Sequence, residues 1–158
     1  MAIVHMLCGK VGSGKSTYAQ SLKTKGNTFI LSYDDLMLIL FDDCIGPAKH
    51  QEMVSRCKKF LFGQALEMLE MNIDVILDFG FWSKEERDET KRFFKSKGIE
   101  VKLHYVNPPY EVITKHLEIR NKAINDGVRG YYMTPEKRKR FDGFFQEPSK
   151  EEIDEYIK

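Results

Sequence analysis

The segment Gly9–Ser16, with the sequence GKVGSGKS, matches the phosphate-loop pattern G-x-x-x-x-G-K-[S/T] and follows an apolar run from Ala2 to Cys8. Glycines let such a loop turn its backbone N–H groups toward a β-phosphate, and the helix that follows adds the positive end of its dipole. Lys15 can then reach the β- and γ-phosphates, and the Ser16 hydroxyl can hold Mg²⁺. We therefore predict an ATP and Mg²⁺ site, with nucleotide-binding residues Lys10, Val11, Gly12, Ser13, Gly14, Lys15, Ser16 and Thr17.

Asp34 and Asp35 follow the second apolar run of the chain, Thr28 to Ser32. A carboxylate near the γ-phosphate can orient or deprotonate an attacking hydroxyl, which is a role that phosphoryl transfer to an alcohol requires. Aspartate is also a favoured N-cap, so either residue could simply begin the next helix. We expect Asp34 to be the functional member of the pair.

Asp78 follows the apolar residues Val75 to Leu77. A charged residue at the end of a buried strand is costly unless it is paired or faces a ligand. We predict that Asp78 belongs to the magnesium shell, and the alternative is an ion pair with Arg87 or Lys15. The aromatic residues that follow could wall an acceptor pocket or cover the core; they are Phe79, Phe81 and Trp82.

Several arginines follow the fourth predicted strand, and arginines carried by a mobile lid can neutralise charge on a transferring phosphoryl group. We predict such a lid at about residues 121–140, called the lid segment below, with Arg120 and Arg129 acting on the phosphates and glycines at 127 and 130 as hinges. The run Lys137–Arg140 is more typical of a solvated helix face than of a phosphate clamp.

The remaining pattern alternates strands and helices, which predicts a parallel sheet between helices and ligands at the carboxyl ends of the strands. The predicted strands are 2–8, 28–32, 73–77 and 100–106, and the predicted helices are 15–25, 34–41, 48–71, 83–96 and 108–123. A fifth strand would be usual, but no convincing apolar run follows Asn125.

The composition is that of one globular domain, residues 1–158, with 25 Lys and Arg against 24 Asp and Glu. This balance does not favour a nucleic acid or an anionic membrane as partner. Cys8, Cys44 and Cys57 show no metal-ligand spacing and are expected to be reduced core thiols, and His5 and His104 are expected to be hydrogen-bonded strand residues. With no apparent leader or membrane span, we expect a cytoplasmic protein.

The phosphate loop, Ser32–Asp35, the stretch Leu77–Ser83 with Arg87, and Arg120–Asn121 together resemble the P-loop kinase-like ATP-binding proteins. That family is similar to zeta toxins, chloramphenicol phosphotransferases and the kinase domain of phage polynucleotide kinase. The resemblance implies a three-layer α/β fold with strand order 2-3-1-4-5 and a small helical lid. It also implies roles for particular residues: Lys15 and Ser16 on Mg·ATP, Asp34 as general base, Asp78, Trp82 and Arg87 toward the acceptor, and 144–148 near the adenine.

The chain departs from the polynucleotide kinase domain, which carries an arginine shortly after its catalytic aspartate, because Leu36–Leu38 is apolar. Three hypotheses remain. The first is a phosphotransferase acting on a small-molecule hydroxyl. The second is a 5′-hydroxyl polynucleotide kinase, and the third is a non-catalytic nucleotide sensor. The second carboxylate and the lid arginines favour the first, because a sensor needs neither.

Overall fold

The structure is a computed structural model that describes residues 1–42 and 45–158. Its centre is a parallel sheet of five strands in the order β2-β3-β1-β4-β5. This confirms the predicted three-layer α/β fold and its strand order. The elements are β1 Ile3–Cys8, α1 Lys15–Lys23, β2 Thr28–Leu31, α2 Tyr33–Leu40, α3 Pro47–Glu70, β3 Asp74–Gly80, α4 Lys84–Lys95, β4 Glu100–Val106, α5 Tyr110–Asn125, α6 Pro135–Phe144 and β5 Glu155–Ile157.

The central strands are apolar on both faces because helices cover both sides of the sheet, as parallel sheets require. On one face, side chains such as Met6 and Leu77 pack with Leu61 of α3 and Phe94 of α4. On the other face, Leu7 and Ile76 pack beneath α1. The sheet is therefore held rigidly, and the loops at its carboxyl edge inherit fixed positions.

The fifth strand is present, although the sequence shows no apolar run for it. Glu155–Ile157 is a three-residue edge strand whose residues are exposed or half-buried, and it pairs with His104–Val106 of β4. Backbone pairing with β4 holds this strand in place, and its own side chains contribute little burial. A strand of this kind leaves no hydrophobic signal, because little of it is buried.

The third strand runs to Gly80, beyond the predicted end at Leu77, so Asp78 lies inside the strand and not after it. The pairing between β1 and β3 shifts after Met6 and Leu77, and Cys8 pairs with Gly80. Two residues of β3, Asp78 and Phe79, therefore oppose the single residue Leu7. Such a bulge bends the strand and re-aims its side chains.

Cys8 and Cys57 are buried thiols, while Cys44, which was expected to share that role, lies outside the described residues. Across residues 1–42 and 45–158, no helix combines the length and apolar composition that crossing a membrane requires.

His5 and the buried His104 form a hydrogen-bonded chain with Tyr18 under α1. His5 Nδ1 lies 2.8 Å from His104 Nε2, and the Tyr18 hydroxyl lies 2.9 Å from His104 Nδ1. Burial, together with the neighbouring His5, lowers the pKa of His104 to about 4. His104 is therefore neutral in the folded chain near pH 7, in a hydrogen-bonded strand position as expected.

The lowered pKa of His104 leads to a prediction about stability in acid. The unfolded imidazole has a pKa near 6.5. Between pH 6.5 and about pH 4, His104 is therefore protonated in the unfolded chain but neutral in the folded chain. The free energy of unfolding should fall by roughly 3 kcal/mol across this window, and the His104 contribution should be constant below it. Replacing His104 with glutamine should flatten the dependence in urea unfolding at pH 4 to 7.5. An unchanged slope in the variant would contradict the assignment.

Candidate active site

The phosphate loop joins β1 to α1 and needs glycine at two positions. Gly12 and Gly14 have φ of 80° and 94°, in the left-handed region that side chains rarely adopt. A Cβ on Gly12 would lie 2.7 Å from the Leu117 side chain of α5, so this position also lacks room. The Ser13 N–H donates to the Lys10 carbonyl at 3.1 Å and closes the turn. The predicted loop therefore forms as its sequence requires.

Polar groups of this loop are left ready for an anion. In the described part of the chain, no side chain caps α1, which begins after Gly14, and the buried Ser13 hydroxyl has no hydrogen-bond partner. Uncapped N–H groups at a helix N-terminus and an orphaned buried hydroxyl both favour a phosphate group in the loop. Lys15 Nζ lies over the same loop and donates to the Gly9 and Lys10 carbonyls at 3.0 and 2.9 Å. These groups fit the phosphates of a nucleoside triphosphate.

Ser16 and Asp78 provide an oxygen pair beside the loop. The Ser16 hydroxyl donates to Asp78 Oδ2 at 2.8 Å, and the bulge in β3 lies at Asp78. Ser16 is therefore the hydrogen-bond partner of Asp78. Arg87, one of the two partners considered from the sequence, pairs with Glu152 instead. Hydroxyl and carboxylate oxygens suit Mg²⁺, which commonly uses one or two protein ligands together with substrate phosphates. The donor set therefore fits a magnesium ion carried by a nucleotide.

Asp34 joins this cluster electrostatically. Burial lowers the pKa of Lys15, and the carboxylates of Asp78 and Asp34 oppose that shift. Desolvation raises the pKa of Asp34, while Lys15 opposes the rise and Asp78 adds to it. Asp34 is exposed by its accessible surface area. It nevertheless lies in a cleft, where the surrounding protein atoms displace much of the water that would hydrate its carboxylate. The cleft thus brings together a cation and two carboxylates.

Ser32, and neither aspartate, is the N-cap of α2. Its side chain accepts a hydrogen bond from the Asp35 N–H at 3.3 Å, and both Asp34 and Asp35 lie in the first helical turn. The alternative interpretation of Asp34 as a cap is therefore wrong. The α2 N-terminus instead holds the Asp34 carboxylate beside the carboxyl edge of the sheet.

The two arginines expected to act on phosphates have different surroundings. Arg120 lies exposed on α5, and its positive charge acts on Lys15, Asp34 and Asp35. Arg129 instead donates from Nη2 to the Phe41 carbonyl at 2.8 Å, beyond the end of α2. The structure therefore brings Arg120 to the charged cluster and places Arg129 at the edge of the cleft.

The basic run of α6 is largely a solvated face, as its sequence favours. Lys137, Lys139 and Arg140 are exposed. Arg138 is the exception, because its guanidinium packs 4.0 Å from the Tyr110 ring centroid and donates to the Thr114 hydroxyl at 2.8 Å. Arg138 therefore fastens α6 to α5.

Arg87 does not lie where the family resemblance implied. It is fully buried, and its Nη1 donates to the carbonyls of Phe81 and Gln146 at 3.0 and 2.8 Å. Its Nε donates to Glu152 Oε1 at 2.8 Å. A guanidinium engaged in this way is at odds with a contact to substrate. Arg87 instead clamps the residues after β3 to the C-terminal segment.

The aromatic residues after Leu77 divide between core and cleft edge. Phe79 and Phe81 are buried in the main core, so they do not wall a pocket. Trp82 is half-buried, with its ring 5.4 Å from that of Phe141 on α6. Trp82 thus keeps a position from which it could meet a ligand, and it touches α6, the helix that begins within the lid segment.

His116 is a neighbour of the phosphate loop that the sequence analysis did not identify. Its Nδ1 lies 2.8 Å from the Gly12 carbonyl oxygen. Together with Leu117, it braces the loop from α5. The only sequence signal was its place one helical turn before Arg120, which by itself does not distinguish it from other exposed helix residues.

A cavity of 270 Å³ adjoins the loop on the side of α1. Its lining includes Ser13, Thr17 and Tyr18, together with His116 and Ile157. A second candidate for nucleotide contact, Phe145, lies near Lys10, whose ammonium is 5.9 Å from the ring centroid. The loop therefore has neighbours on both sides that a nucleotide could meet.

The comparisons with known structures support the same fold. A protein of the Pnkp1/Rnl/Hen1 RNA repair complex is similar at 19% identity with a TM-score of 0.71, over 90% of this chain and 43% of that one. A sugar kinase from Janibacter sp. HTCC2649 shows 13% identity and a TM-score of 0.64, over 99% and 85%. The Mycobacterium tuberculosis APS kinase CysC, solved with AMPPNP and APS, shows 17% identity and a TM-score of 0.62, over 99% of this chain and 87% of that one.

These identities establish the fold alone, and the chain spans less than half of the RNA repair protein that it matches. None of the curated protein sequences matches this chain. The model of an AAA domain family, however, matches residues 4–130, a range that includes the phosphate loop, Asp34, Asp78 and Arg120. The chain therefore belongs to this AAA domain family and is a nucleotide-binding, P-loop kinase-like protein.

Proposed function

We propose that the protein transfers the γ-phosphoryl group of Mg·ATP to a hydroxyl group of a small-molecule acceptor. The observation that carries this proposal is the convergence of Lys15, Asp34, Asp78 and Arg120 around the end of the phosphate loop. A protein that only binds a nucleotide needs the loop and the lysine. It does not need a second carboxylate positioned beyond them.

The transfer step assigns a task to Asp34. The acceptor oxygen attacks the γ-phosphorus and forms a new P–O bond, while the bond between the γ-phosphorus and the ADP oxygen breaks. The acceptor hydroxyl proton passes to the Asp34 carboxylate. Desolvation raises the pKa of Asp34, so it is a stronger base than a fully hydrated aspartate.

The cations around the cleft stabilise the charge that develops during transfer. Lys15 acts on the β- and γ-phosphate oxygens, and Arg120 acts from α5 on the same region. Ser16 and Asp78 would hold a magnesium ion, which when bound neutralises phosphate charge. The nucleoside would occupy the 270 Å³ cavity, because that cavity opens directly from Ser13, Gly14 and Thr17.

The test is to incubate the protein with Mg·ATP and a library of metabolites and oligonucleotides, while measuring ADP release and acceptor mass. A gain of one phosphate by a small molecule supports the proposal. Phosphorylation of an oligonucleotide alone would favour the polynucleotide kinase, which the similarity to an RNA repair protein keeps among the alternatives. Tight ATP binding without transfer or ADP release would favour a nucleotide sensor.

Asp34→Asn should reduce phosphoryl transfer by roughly 10²-fold, because it removes the proton acceptor while preserving side-chain shape. ATP affinity should change by only a few fold. Asp35→Asn is the matched control, since Asp35 is the next residue in the same helical turn. We expect it to retain most of the transfer activity. Loss of activity in the Asp35 variant and not in the Asp34 variant would contradict the assignment of the base.

A further inference from the structure

The lid segment contacts the other side of the cleft through an aromatic pair and an arginine. The ring of Tyr131 meets the imidazole of His50, on α3, edge to face, with centroids 6.3 Å apart and planes at 83°. Two residues earlier, Arg129 donates to the Phe41 carbonyl at 2.8 Å, and its Nη1 lies 3.5 Å from Asp42 Oδ1. The lid segment is thus attached to α3 and to the residues that follow α2, the helix whose first turn carries Asp34.

The same pair interacts electrostatically with the proposed base. Burial raises the pKa of Tyr131, and the Asp34 carboxylate adds to the rise. His50 in turn is one of the groups that oppose the raised pKa of Asp34. Both rings are therefore within electrostatic reach of the carboxylate to which the acceptor hydroxyl would present its proton.

We propose that His50 and Tyr131 form the outer wall of the acceptor site and determine which acceptor it takes. Arg129 is a positioning residue that fixes the lid segment so that Tyr131 meets His50. The wall offers two ring surfaces, a phenol hydroxyl and an imidazole, which suit a compact acceptor that carries several hydroxyls on a carbon frame. The consequence for catalysis rests on the proposed phosphotransferase function.

The wall itself can be tested without knowing the acceptor, by amide hydrogen exchange across residues 126–134. His50→Ala and Tyr131→Ala should each speed this exchange several-fold, because each removes half of one contact. The double variant should exchange little faster than either single variant, since the two residues share that contact. Tyr131→Phe keeps the ring and should resemble the wild type.

Tyr132→Ala is the matched control, because Tyr132 is the adjacent exposed tyrosine and Tyr131 has similar exposure, at 42% and 38%. It should leave the exchange close to that of the wild type. The wall is contradicted if Tyr132→Ala acts like Tyr131→Ala, or if the effects of His50→Ala and Tyr131→Ala multiply in the double variant.

The role of Arg129 is tested by Arg129→Gln. Loss of this positioning residue should speed exchange in residues 126–134 and leave the ATP dissociation constant within about twofold, because its guanidinium is already engaged by the Phe41 carbonyl and by Asp42. A tenfold weaker affinity for ATP would instead place Arg129 on the nucleotide and overturn this role.

The catalytic consequence is measured with the acceptor found in the library experiment. Tyr131→Ala and His50→Ala should raise the KM for the acceptor by about tenfold and leave the KM for ATP within twofold. A rise in the KM for ATP alone would overturn the specificity role. If no compound is phosphorylated but exchange in the double variant is coupled, the proposed function fails and the wall stands. Uncoupled exchange refutes the wall whether or not transfer occurs.

Discussion

Lys15→Ala is expected to reduce ATP-dependent turnover by about 10³-fold, the largest effect we predict on activity. The Lys15 ammonium lies over the phosphate loop, where its charge would meet the β- and γ-phosphates. Alanine leaves the loop backbone intact but removes that charge from the transition state. ADP release and acceptor phosphorylation under saturating Mg·ATP measure the loss, and the midpoint of thermal unfolding shows whether the variant is folded.

Lys23→Ala is the matched control for Lys15→Ala. Lys23 ends the same helix, and its exposed ammonium lies over the Phe29 ring, away from the loop. It removes an equal charge from α1 and should change turnover less than twofold, because solvent screens charges at that distance. Turnover within tenfold of the wild type for a folded Lys15→Ala protein would refute the phosphate role of Lys15.

Arg87→Ala is expected to lower the free energy of unfolding by about 3–5 kcal/mol, the largest predicted effect on stability. It leaves the Glu152 carboxylate, with a side chain only 11% exposed, without its cation. It also removes the donor of the Phe81 and Gln146 carbonyls. Urea unfolding measures the loss, and Lys84→Ala is the control. Lys84 pairs with Asp88 at the surface, so its loss should cost no more than about 1 kcal/mol.

The acid dependence of stability provides an independent check on the Arg87 clamp. Burial acts to raise the pKa of Glu152, but hydrogen bonds from Arg87 and from the Ser149 N–H outweigh it and hold the pKa at about 2. The unfolded carboxyl has an ordinary value of 4.5. The stabilisation is therefore complete above pH 4.5 and is lost as pH falls toward 2. Arg87→Ala should weaken this dependence, and the double variant Arg87→Met/Glu152→Leu should recover part of the lost stability.

The clamp shows how far local patterns extend. The family resemblance implied that Arg87 contacts the substrate. Its partners in the structure, Glu152 and the Gln146 carbonyl, lie 65 and 59 positions further along the chain. No local pattern indicates such partners. The same limit hid His116, which meets the phosphate loop only because α5 packs against Gly12.

Local structures that depend on neighbouring residues in the chain were predictable. The phosphate loop follows from consecutive residues, because its glycines, its lysine and the helix after it determine the local backbone together. Asp34 and Asp78 were predictable for a related reason. Asp34 follows β2 in the first turn of α2, and Asp78 lies in β3 near its carboxyl end; parallel strands bring those ends to one edge of the sheet.

The amino-acid sequence by itself therefore determined the fold class, the strand order through a family resemblance, the nucleotide loop and its neighbouring carboxylates. Tertiary structure alone decided that β5 completes the sheet, that Asp78 lies at a bulge beside Ser16, and that Arg129 contacts the end of α2. The physical reason is the range of the interactions. Hydrophobic periodicity and turn chemistry act within a few residues, whereas edge pairing, buried ion pairs and lid contacts join segments that only the packed chain brings together.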